Sequence, residues 1–114
     1  MFGGIFDNYS STETLGHKEE FKPLIIKLGV ERAIDILRKD FESKGYQDIS
    51  CNKDFGDICA TNGKFDISFQ ITPNSDSGKA TINVSVYKDQ GKGGTRKMLK
   101  AVIADAKELF KIYF

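Results

Sequence analysis

The chain has 114 residues, 39% hydrophobic and 29% charged, with 17 Lys/Arg against 16 Asp/Glu. That is enough apolar material for one domain with a core of its own, and a net charge of +1 excludes a global field that would draw it onto nucleic acid or a membrane surface. Two cysteines, Cys51 and Cys59, are too few for a disulfide scaffold, and no apolar run approaches a membrane span.

Residues 1–20 carry Phe2, Ile5, Phe6 and Tyr9, then the polar run Ser10 to Thr14. They are expected to form a loosely ordered arm ahead of a single domain spanning 21–114. The arm either tucks its rings against the body or docks onto a partner. The first residues lack the basic region of a secretory signal, so the expected location is cytoplasmic. His17, the one histidine, sits among Lys18, Glu19 and Glu20 and is expected to be solvated, with no second ligand at metal-binding spacing.

Phe21 to Leu28 is apolar but broken by Pro23, and the pattern leaves open a helical turn or an extended lead-in. From Val30 the signal clears: Val30, Ala33, Ile34, Leu37 and Phe41 recur at helical spacing, and Gly45 supplies the stop. Tyr46–Asn52 and Ile58–Thr61 read as strands around a turn at 52–57. Asn62-Gly63 then predicts a two-residue hairpin pairing Thr61 with Lys64. Phe65, Ile67, Phe69 and Ile71, then Ala80, Ile82, Val84 and Val86, alternate strictly with polar residues, which predicts two strands with one apolar and one wet face. By the same alternation Cys51 falls on the apolar face and Cys59 on the polar one, so the two thiols should not be bonded. Past the glycine-rich connection 89–94, Thr95 is expected to cap a helix with the stripe Met98, Leu99, Val102, Ile103, Ala106, Leu109, Phe110 and Tyr113. The expected fold is α+β: helix, four-stranded antiparallel meander, helix, with both helices packed on one face of the sheet.

The charge is uneven. From Lys88 onward seven Lys/Arg face three acids, which leaves ten against thirteen in the rest. Gly91-Lys92-Gly93-Gly94-Thr95-Arg96-Lys97 enters a helix N-terminus, where free N–H groups and the helix dipole favour anions. Lys92, Gly93, Gly94, Thr95, Arg96, Lys97 and Lys100 are therefore the candidate anion- or nucleic-acid-binding residues. The order required of a nucleotide-hydrolase phosphate loop is missing.

The run Gly93 to Lys100 resembles the start of the last helix in double-stranded-RNA-binding domains, where a Gly-x-Ser-Lys-Lys-x-Ala-Lys run sets basic side chains on phosphates. The resemblance implies that Thr95, Arg96, Lys97 and Lys100 stand at the Ser, Lys, Lys and Lys positions. It departs in the fourth strand, in Leu99 for the small alanine, and in the hairpin loop expected to reach the minor groove. The segment Phe41 to Val86 is also similar to small helix-plus-sheet accessory domains, some of them in bacterial outer-membrane assembly lipoproteins.

No poised acid–base or nucleophile–base pair is visible, and no cofactor or metal site is expected. The expected function is a small non-catalytic binding module for a protein partner, with a dimer through a sheet edge as one form. Nucleic-acid binding through the basic helix start stands second, and a small enzyme of unknown substrate third.

Overall fold

A computed structural model of the chain describes residues 8–75, 78–89, 91 and 93–114. They form a mixed α+β fold with a six-stranded antiparallel sheet and three helices. In chain order these are β1 (Tyr9–Ser11), α1 (Thr12–Leu15), a 3-10 turn (Glu19–Phe21), β2 (Leu24–Ile26), α2 (Val30–Ser43), β3 (Gln47–Asn52), β4 (Asp57–Thr61), β5 (Asp66–Asn74), β6 (Lys79–Tyr87), α3 (Thr95–Leu109) and a closing 3-10 turn (Lys111–Tyr113). Among the described residues no helix is long and apolar enough to cross a membrane.

Strict alternation builds the sheet's inner face: Phe65, Ile67, Phe69, Ile71, Ala80, Ile82, Val84 and Val86 are all buried. They join one core cluster with Ala33, Ile34, Leu37 and Phe41 of α2 and with Leu99, Val102, Ile103 and Ala106 of α3. Leu37 and Phe41, Ile67 and Phe69, and Val102 and Ala106 line a common seam where α2, β5 and α3 meet. Lys44 pins that seam at the surface, 2.8 Å from Asp40 on its own helix and 3.6 Å from Asp105 on α3.

The sheet is wider than the four-stranded expectation. Strands β3, β4, β5 and β6 do run as consecutive antiparallel neighbours, but β1 and β2 both add to the free edge of β6. Tyr9 to Ser11 pair with Tyr87 to Ser85, and Leu24 to Ile26 pair with Ile82 to Ala80. Each added strand is three residues long, too short for a period-two pattern to register, and Pro23 directly before β2 costs the ladder nothing. Residues 9–15, expected as part of a loose arm, are thus strand and helix; Phe2, Ile5 and Phe6 lie outside the described residues.

Between β1 and β2 the chain leaves the edge, and one side chain bridges the gap. The Val84 amide donates to Thr12 Oγ1 at 2.9 Å, and the same hydroxyl donates to Asn83 Oδ1 at 2.7 Å.

The β4–β5 register also differs from expectation. Thr61 pairs with Asp66 and Ala60 with Ile67, so the loop is 62–65 rather than two residues. The cause is local: Asn62 Oδ1 accepts from both the Lys64 and Phe65 amides, at 2.9 and 2.8 Å, and wraps the chain around itself. The slip is by two residues, so every side chain keeps its face. Both cysteines are free. Cys51 pairs with buried Ile58 and so shares the apolar face, yet it is exposed because β3 is the outer strand.

Candidate binding surfaces

The wet face of the sheet becomes a surface through strand register. Directly paired residues share a face, so the pairings read across the sheet as rows. One row is Gln47, Thr61, Asp66, Tyr87 and Tyr9; the next is Ser50, Cys59, Ser68, Ser85 and Ser11; the third is Asn52, Asp57, Gln70 and Asn83, ending at Thr12. A fourth, shorter row is Thr72, Thr81 and Ile25. The second row spans five strands with nothing larger than a thiol or hydroxymethyl group. It therefore forms a shallow trench floor between rows of longer side chains. In β3, the bulge between Gln47 and Ser50, where Asp48 takes φ 54°, brings both residues to this face.

Across these rows the charged side chains are Asp57 and Asp66 alone. Tyr9 and Tyr87, paired directly, are 46% and 39% exposed at one margin. Cys59 Sγ lies 3.4 Å from Ser68 Oγ, a hydroxyl with no basicity to activate a thiol. Ser11 is the exception to the row's openness, since it is buried capping α1 through a 3.0 Å bond from the Glu13 amide.

The glycine-rich connection and the start of α3 form the second surface. The structure corrects one assignment here. The residue preceding α3 in capping position is Gly94, and among the described residues no side chain caps the helix. Thr95 is buried and turned inward, its Oγ1 2.9 Å from Ser10 Oγ. It is therefore a tie to β1, and its hydroxyl faces away from any ligand at the surface. The physical reason is the packing of Gly94 on Phe65, where a Cβ would come within 3.3 Å of the ring's Cζ. That contact draws the first turn down onto the sheet.

Gly93 accepts from Lys88 Nζ at 3.4 Å. Arg96, Lys97 and Lys100 remain exposed and line an open hollow with Gly94, Phe21, Glu20 and Lys18. Lys92 lies outside the described residues. Lys100 is 3.9 Å from Glu20, whereas Lys18, Arg96 and Lys97 make no ion pair among the described residues. Lys18 was missed by sequence reading because it enters from the other end of the chain, brought there by the 3-10 turn. His17 is exposed, as expected. Among the described residues no group of three or more His, Cys, Asp or Glu is placed to hold a metal ion.

Compared with protein-family models, with curated proteins and with solved structures, the chain matches none.

Proposed function

We propose that this domain is a non-catalytic binding module whose working surface is the wet face of the sheet and whose partner is a protein. The observation that carries this is the row Ser50, Cys59, Ser68 and Ser85, an uncharged trench crossing four strands and closed at β1 by buried Ser11, with an exposed tyrosine pair beside it. Small hydroxyls offer hydrogen bonds at little entropic cost, and tyrosines supply contact area with few rotors. The trench row itself holds no cation for a phosphate backbone and its flanking rows add only Asp57 and Asp66, with Lys79 at the far end of the face, which turns it toward protein rather than nucleic acid. The edge of β3, which no strand among the described residues pairs, offers a further place for a strand to add.

The test is affinity capture from native cells with the full chain and with Ser68→Arg/Ser85→Arg, both checked for folding by circular dichroism. A protein retained by the parent and lost by the variant supports the proposal. Equal retention by both, or retention by neither, refutes it.

A second reading has its own observation: three cations that make no ion pair among the described residues, Lys18, Arg96 and Lys97, around one hollow. Such a site would bind duplex RNA with a steep salt dependence, and Arg96→Ala/Lys97→Ala would flatten the slope by about two. An unchanged slope would remove it.

A further inference from the structure

Among the described residues, four buried polar side chains stand out in an otherwise apolar interior: Ser10, Ser11, Thr12 and Thr95. All four lie where the segment Tyr9–Leu15 meets the rest of the fold. That segment contributes no fully buried apolar side chain; Leu15, half-buried, is the one apolar side chain it packs against the core cluster. The next apolar anchors are Phe21, Leu24 and Ile26, beyond the exposed His17 and Lys18. Hydrogen bonds therefore hold β1 and α1: the three β1–β6 pairs, the Lys88 amide to Asn8 O at 2.8 Å, the Thr12 bridge, and Ser10 to Thr95. Each such bond is replaceable by water once the segment lifts, whereas apolar burial is not, so this segment has little to lose on opening.

From this we infer that Tyr9–Leu15 is a releasable strap that opens as one unit and hands the β6 edge from Val84 to Lys88 to another extended segment of the same pattern. The occupant is a second copy of this chain's own segment, because the edge is already built for it. Tyr9 sits opposite Tyr87, Ser11 opposite Ser85, and the Thr12 hydroxyl in the middle of the segment accepts from the Val84 amide. The inference stands apart from the protein-binding reading of the trench and survives or fails without it.

Amide hydrogen exchange on the full chain tests the opening. The Val84 and Lys88 amides should exchange together, at least about a hundredfold faster than the amides of central strand β5. Thr12→Val should speed both by about tenfold and leave β5 unchanged. A single common rate for Val84, Lys88 and β5 would overturn the inference. The occupant is tested with a fluorescent peptide of the sequence 8–15 titrated into the same proteins. A tenfold larger open fraction makes the peptide bind Thr12→Val about tenfold more tightly than the parent. Equal affinity for both, or binding to neither, would overturn it. Should Thr12→Val fail to fold, Gly16→Ala serves instead, since its Cβ meets the Thr12 carbonyl oxygen in the turn closing α1 and leaves the β6 edge untouched; the same two readouts decide.

Discussion

Gly56→Ala is the substitution whose cost the structure fixes most tightly. Gly56 closes the β3–β4 turn with φ 74°, and a Cβ there would run into the Ile71 carbonyl oxygen. A left-handed conformation costs an L-residue about 1–2 kcal/mol. The clash adds to this, because the turn is tied to β5 at that point: the Ile71 amide donates to Gly56 O at 2.8 Å, and Gln70 Nε2 donates to Phe55 O at 2.6 Å. Backing the turn away sacrifices at least one of these bonds, about 1 kcal/mol more. The expected total is about 2–4 kcal/mol, read as a lower urea midpoint at unchanged slope. Gly63→Ala is the control. It has φ 94° but open space around the added Cβ, so only the conformational part, about 1–2 kcal/mol, applies. Equal midpoints for the two variants would refute the close approach of the turn to β5.

Two further perturbations follow from buried or paired groups. Ser10→Ala or Thr95→Val alone strands one buried hydroxyl and should cost about 1–3 kcal/mol, whereas the double variant should cost less than the sum of the two; strict additivity in chemical denaturation would show that the pair is not coupled. Lys44 is held above its ordinary value of 10.5: partial burial pulls it down, but the hydrogen bond to Asp40 and the charges of Asp40 and Asp105 outweigh that. A raised lysine stabilises fully below its unfolded value and loses that contribution as pH climbs through the folded one. Lys44→Met should therefore be less stable than the parent by up to about 1 kcal/mol near neutrality, with the gap closing above the raised value. A gap unchanged at alkaline pH would mean that the clamp contributes through packing alone.

What the sequence carried was what repeats. The alternation in β5 and β6 and the stripes of α2 and α3 are long enough to declare their period, and the structure buries those side chains. The elements that escaped are short or bound by hydrogen bonds. Tyr9-Ser10-Ser11 has no apolar side to betray it as a strand, because its inward residue, Ser10, is satisfied by Thr95 instead of by the core. Leu24-Ile25-Ile26 was visible as apolar but too brief to assign. Thr95 has the chemistry of a helix cap, and the contact of Gly94 with Phe65 spends it elsewhere. The basic hollow was half legible: Arg96, Lys97 and Lys100 lie on one helix, while Lys18 reaches them through a turn that no local pattern announces. The trench was hidden for a related reason. Its polar residues were plain within each strand, but their alignment into rows depends on a bulge at Asp48 and a two-residue slip after Asn62.

The central claim is that the trench, and not the basic helix start, is where a partner sits. Site-specific photocrosslinking in native cells tests it directly, with the reactive side chain placed in turn at Ser68, Ser85, Lys97 and the exposed Glu31 of α2. The account predicts protein adducts from positions 68 and 85 and none from 97 or 31. Adducts from position 97 alone, or none from 68 and 85, would contradict it.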